Sequence, residues 1–179
     1  MLFGVLVFAA IVVAVFALAT TYNNLVAAAE RAARSWNNLD ALLRQRHDEI
    51  PHLIEICEPH LRGERVALDR LLAARDAIFA ARQTRAAEVL GSAESALRSE
   101  LAALIARAAR EPELAESAAF GLLRQRNATL DGEIAERRAA YNDAVGGYNT
   151  AIARLPGNLV ALLGGFRPLR ALDAEAAGR

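Results

Sequence analysis

The sequence predicts an all-α protein, in which an N-terminal transmembrane helix continues into an antiparallel up-and-down four-helix bundle. Three observations predict it. The chain opens on a long apolar stretch without a charged side chain, and beyond it apolar residues recur at alternating spacings of four and three. Prolines and glycines then divide that repeat into four long segments with short connections, the pattern of helices packed against their neighbours in sequence. No strand-like alternation occurs along the sequence.

The first charged side chain is Glu30, and residues 2–19, LFGVLVFAAIVVAVFALA, are apolar throughout. At about 1.5 Å of rise per residue they span roughly 27 Å, close to the hydrocarbon thickness of a bilayer. A core helix of this composition would need protein on every side. Residues 1–21 are therefore read as an uncleaved anchor. Ala17-Leu18-Ala19 resembles a small-residue cleavage site, but the positively charged flank of a signal peptide is missing and the apolar run is longer than such signals carry. The alternative is a cleaved, exported domain starting at Thr20. Arg31 and Arg34 follow the span with no Lys or Arg before it, an asymmetry that favours a domain on the cytoplasmic side.

What remains is enough for one domain, with a bundle expected over 22–157 and a short apolar, membrane-proximal segment with a frayed tail over 158–179. The chain has 21 basic residues, all Arg, against 21 Asp plus Glu. Without a basic field to hold phosphates, no nucleic-acid partner is expected. One Cys, Cys57, allows no internal disulfide, so packing must hold the fold.

Taken in order, Leu25, Ala29, Ala32, Trp36, Leu39 and Leu43 give the first soluble helix, continuous with or close behind the span. Pro51 lacks an N–H and its ring clashes with the preceding turn, so a boundary is expected at Asp48–Pro51, as a hairpin or a kink. A second helix, bent early by Pro59 and Gly63, is expected on Leu53, Cys57, Leu61, Leu68, Leu72 and Phe79. A third runs from about Ala86 to Arg110 on Leu90, Leu97, Leu101, Leu104 and Ala108. The fourth follows a Ser117 cap and keeps a heptad register through Leu130, Ile134, Arg137, Tyr141, Ala144, Tyr148 and Ile152 until Pro156 and Gly157 stop it. Asn158 could cap a final apolar turn, LVALLGGF.

DALLRQRHDEIPHLIE (40–55) and IAERRAAYNDAVGGYNTAIARLPGNLVALLGGF (134–166), with TYNNLVAAAERAARSWNNLDA before them, resemble the LemA family of bacterial membrane-anchored helical proteins. The combination of R-H-D-x-I-P, Y-N-x-A-V-x-x-Y-N-T, P-x-N-L and G-F is specific, while 68–110 matches only in helical character. The chain departs from the family pattern at Glu111, Asp131 and Leu155, and it has no aromatic near Leu169 to Leu172. The resemblance implies one span, a four-helix bundle, a place in the bacterial plasma (inner) membrane and no established catalytic activity. It also implies neighbours among envelope or membrane proteins, with self-association one form such contact could take.

Two groups of residues are candidate interaction sites. Arg46, His47, Asp48 and Pro51 would lie at a corner far from the membrane, as a partner-docking tip or as a helix break held by its own hydrogen bonds, with Arg44 pairing Asp48. Tyr141 and Tyr148 share one face, Asn142 and Asn149 the next, and counting from the corner sets Tyr22 and Asn23 level with them. LVALLGGF would return there with Phe166 beside the anchor. Gly146 and Gly147, each costing roughly 1 kcal/mol in a helix, suggest close approach of a neighbouring backbone or a lipid headgroup. His52, Cys57 and His60 stand five and three apart, which puts them on different sides of a helix, whereas a helical metal site takes pairs four or three apart with carboxylate support; no catalytic or nucleotide motif occurs. No cofactor and no enzymatic activity are expected. The leading expectation is a non-catalytic scaffold or adaptor; the alternative is a metal- or cofactor-dependent activity built from His47, His52, Cys57 and His60.

Overall fold

The computed structural model describes residues 1–61, 63, 65–84 and 87–172. Among them six helices follow one another: α1 (Leu2–Cys57), α2 (Arg65–Thr84), α3 (Ala87–Ala108), α4 (Pro112–Ala115), α5 (Ala118–Ala153) and α6 (Gly157–Gly164). No strand is present among the described residues. The expected start of the third helix at Ala86 lies outside them, as does the part of the expected frayed tail beyond Leu172; residues 167–170 of that tail are not frayed but hydrogen-bonded to side chains of α5.

The N-terminal part of α1 is long and apolar enough to cross a membrane, and none of its apolar window is buried within the protein. It is a candidate membrane anchor. The same helix carries on without interruption through the soluble residues to Cys57.

The hairpin alternative at Asp48–Pro51 does not form, because Pro51 lies inside α1. Its ring faces solvent, while Leu39, Leu43, Ile50, Leu53 and Cys57 form one buried seam at spacings of four and three on the other side. Burying that seam outweighs the one backbone hydrogen bond that proline removes. The helix ends instead just after Cys57, whose carbonyl accepts from the N–H groups of His60 and Leu61. Residues 53–57 thus belong to α1, and α2 starts afresh at Arg65. Its buried positions are Leu68, Leu71 and Ile78, with Leu72 and Phe79 exposed, one step round the helix from the expected seam.

The chain forms two compact units. The first comprises Met1–Asn37 and Ala140–Ala171; the second comprises Asn38–Ala139 together with Leu172. Helices α1 and α5 each contribute to both.

In the first unit α1 and α5 run antiparallel, with Trp36 against Tyr141 at 5.4 Å between ring centroids, and Leu25 and Ala28 in one cluster with Tyr148 and Ile152. Tyr141 is therefore level with Trp36, and the expected alignment of Tyr22 with Tyr141 does not occur. The continuation of α1 past Pro51 displaces the register. Helix α6 closes the cluster with Val160 and Ala161. Its first residue is Gly157, ahead of the expected Asn158 cap, and a Cβ at Gly157 would collide with the Ala151 carbonyl oxygen. Gly165 ends α6 with φ of 71°, a left-handed conformation that favours glycine, and the Phe166 N–H closes onto the Ala161 carbonyl.

In the second unit α2 packs along α3, whose seam of Leu90, Leu97, Leu101, Leu104 and Ala108 is buried as expected. Ser117 caps α5: its Oγ accepts from the Phe120 N–H at 3.4 Å, and the Phe120 ring is buried. Further along α5 the buried seam in the first unit takes Val145 rather than Ala144.

Gly146 and Gly147 are exposed, with nothing within 4 Å of where a Cβ would stand. No neighbouring backbone explains them. Replacing either with alanine should stabilise the protein by up to about 1 kcal/mol through helix propensity. Gly157→Ala should destabilise it by about 1–3 kcal/mol through the clash with Ala151. Thermal melts of the three variants check the opposite signs.

Candidate functional site

The expected corner residues Arg46 and His47 are instead interior. Arg46 continues the α1 seam, three beyond Leu43 and four before Ile50, and is 2% exposed. Its Nη2 donates to Glu94 Oε2 on α3 at 2.5 Å, and its Nη1 donates to Asp131 Oδ1 on α5 at 3.2 Å. The Nε2 of His47 lies 3.2 Å from the other Glu94 oxygen, and its ring stands 6.5 Å from that of Phe79 on α2. One buried guanidinium thus gathers α1, α3 and α5.

A second ion cluster ties in α2. Arg82 donates to Asp40 Oδ1 at 2.6 Å, and Arg44 donates through Nε to the other Asp40 oxygen at 2.8 Å. The expected Arg44–Asp48 pair is not formed, and Asp48 and Pro51 are exposed. Arg44 pairs towards the N-terminus of α1, where Asp40 is buried and already engaged by α2.

Burial by itself would raise the Glu94 carboxyl; the His47 imidazole and the Arg46 charge against it outweigh that and hold it below the ordinary 4.5. Beside the ion pair lies a cleft of about 160 Å3, whose lining includes Arg46, Glu94, Ser95, Arg98, Asp131 and Arg138. Positive and negative side chains alternate there.

The remaining histidines and the cysteine do not converge. His52 is exposed near Glu55, His60 pairs with Glu113 at 2.9 Å, and Cys57 is buried, with its thiol pushed up to about 11 by desolvation. Among the described residues, no group of three or more His, Cys, Asp or Glu could hold a metal. The residues of the metal-dependent alternative are not brought together.

The Tyr/Asn group of the first unit builds a clasp. The Tyr148 hydroxyl donates to the Arg167 carbonyl at 3.0 Å, and the Tyr141 hydroxyl donates to that of Arg170 at 3.1 Å. Asn149 pairs reciprocally with Leu169, donating from Nδ2 to the carbonyl at 2.8 Å and accepting the N–H at 2.9 Å. Burial raises both tyrosine hydroxyl pKa values, so they remain donors at neutral pH. Three side chains of α5 thereby hold an extended strap, residues 167–170, along the helix. Tyr22 is half-exposed and meets Phe166 edge to face at 5.6 Å, Asn23 is exposed, and Asn142 is half-buried.

Glu94 was absent from the sequence-based candidates, although a signal existed: it falls between Leu90 and Leu97 at spacings of four and three, on a seam where a charge must find a partner. Asp131 stood out only as a departure from a family pattern. The strap carried no signal, because its carbonyls belong to the backbone.

These features define an all-helical protein with a candidate N-terminal membrane anchor, a buried ion network and a C-terminal strap. The LemA family model matches residues 35–179, and the chain belongs to the LemA family. A search among curated proteins finds no match.

Glu94→Leu should cost about 3–5 kcal/mol by leaving the buried Arg46 with only the longer contact to Asp131, and the Arg46→Met/Glu94→Leu double variant should recover most of it. Urea titrations of the wild type, the two single variants and the double variant measure the coupling. Because the folded Glu94 pKa is depressed, its contribution is complete above about 4.5 and is lost as pH falls through the folded value. Acid titration should show the double variant losing less stability than the wild type in that window. Asn149→Ala should loosen the strap at a cost of about 1 kcal/mol, seen as faster hydrogen exchange at the Leu169 amide and faster tryptic cleavage after Arg170.

Proposed function

We propose that the protein is a single-pass membrane protein whose first helix anchors an antiparallel up-and-down four-helix bundle on the cytoplasmic side of a bacterial plasma membrane. It works there as a non-catalytic scaffold or adaptor that organises envelope or membrane proteins through the surfaces of the bundle. The placement rests on the charge-free span with Arg31 and Arg34 behind it. The bundle reading is supported by the seams of α1, α2, α3 and α5 and by the ion pairs among them.

The observation that carries the functional reading is how the reactive groups are engaged. Arg46, Glu94, His47 and Asp40 hold helices to one another, and Tyr141, Tyr148 and Asn149 hold backbone carbonyls. The Cys57 thiol is buried and its pKa is raised. Chemistry-bearing side chains thus serve architecture, and exposed apolar side chains such as Phe79 on α2 and Leu122 on α5 offer contact surface.

Photo-crosslinking residues placed at Phe79 and Leu122 of the full chain in membranes test this. Discrete protein adducts of defined mass are expected, including adducts to a second copy where the protein self-associates. Lipid adducts alone would sink the scaffold reading, and stoichiometric zinc or iron in the purified protein would replace it with a metal-dependent one.

A further inference from the structure

Helix α6 carries large apolar side chains on the face turned away from its own unit. Val160 and Ala161 are buried in the cluster with Leu25 and Ile152, yet Leu162 and Leu163 are 80% and 85% exposed, and Leu159 and Leu155 are exposed with them. This surface has a fixed position along α1. Phe166, just past the end of α6, packs on Tyr22, and a Cβ at Gly164 would touch both rings. Tyr22 is three residues beyond Ala19, where the apolar run ends, so the C-terminal end of α6 meets α1 about 5 Å along its axis from the span.

The charge pattern around α6 is one-sided. Arg154 precedes it and Arg167 follows, both exposed, and no Asp or Glu occurs between Asp143 and Asp173. The strap bonds from Tyr148 and Asn149 hold the chain immediately after Arg167 against α5. Rigid attachment, exposed leucines and flanking arginines beside a membrane span have the composition of an interfacial helix, with apolar side chains among acyl chains and guanidinium groups at phosphates.

The geometry points to α6 as a second membrane contact: Leu159, Leu162 and Leu163 enter the interface of a bilayer containing anionic phospholipid, and Arg154 and Arg167 bind its headgroups. This rests on the reading of α1 as an anchor. With two attachment points the helices leaving the membrane are fixed in tilt as well as in distance, which a single flexible tether would not achieve. Gly165 supports the same role, since its left-handed turn brings Phe166 back onto Tyr22 directly behind the leucines.

The test uses the full chain in nanodiscs holding one protein each, made of phosphatidylcholine with or without phosphatidylglycerol and with bromine on the acyl chains. Leu163→Trp and Val12→Trp are compared with the parent, whose single Trp36 gives the background. Bromolipid is expected to quench the added emission at least twofold in both variants. For Leu163→Trp the quenching should weaken without phosphatidylglycerol and in the Arg154→Gln/Arg167→Gln background. Quenching at Val12 alone would overturn this inference and leave the anchor standing; quenching at neither would overturn the anchor reading as well. Emission from Leu163→Trp that is shielded only when several copies share a disc would assign the surface to self-association instead.

Discussion

A single buried ion pair, Arg46 with Glu94, is the contact on which the packing of the second unit depends. Both side chains are about 2% exposed, so both charges have left water, and neither could stay inside without the other. Such a pair adds little net stability over two well-packed apolar side chains. Its contribution is to register. The seams it interrupts are built from Leu, Ile and Ala at spacings of four and three, and such seams can slide past one another by a heptad with little change in buried area. A guanidinium that must meet Glu94 on α3 and Asp131 on α5 allows one alignment of three helices. Asp40 with Arg82 sets the fourth in the same way.

The helical class, the apolar opening helix and most of the seams were legible in the sequence, because helix periodicity is a local property and Leu or Ala positions report it directly. The ion network was harder to see. Arg46 and Glu94 occupy seam positions, but a reading that follows apolar residues passes over the charged members of the same series. Partners 48 residues apart also leave no local trace. Pro51 shows the opposite failure. Its local cost was read correctly as a helix-breaking tendency, yet a break would have exposed the seam that Ile50, Leu53 and Cys57 bury. Tertiary packing settled the competition, and α1 ended at Cys57, two residues ahead of Pro59.

In the first unit the sequence points to Tyr141, Tyr148 and Asn149 as candidate interaction residues. Their partner is the chain's own backbone. A segment outside helix or sheet has carbonyls and N–H groups that need donors and acceptors, and residues on two adjacent faces of α5 supply them. Phenol and carboxamide groups suit this use: a phenol combines an apolar body with one directed hydrogen bond, and a carboxamide donates and accepts at short reach. Gly157 belongs to the same design, since the tight approach of α6 to the end of α5 leaves no room for a Cβ.

The two units divide their polar and apolar chemistry in opposite ways, and the division follows from solvent. In the second unit charges are taken inside, where a helix array offers partners from several directions, and its surface leucines are scattered. In the first unit the hydrogen-bonding groups are satisfied within the protein by the clasp, while large apolar side chains face outward along α1 and α6. Exposing Leu162 and Leu163 to water on a helix that has just been strapped into place would forgo about 25 cal/mol for every Å2 left unburied. A rigid apolar surface of that kind lowers the free energy of the chain only where its surroundings are not water. The exposed apolar residues of α1 from Leu2 to Ala19, which end three residues before the Tyr22 that Phe166 packs on, make the same demand.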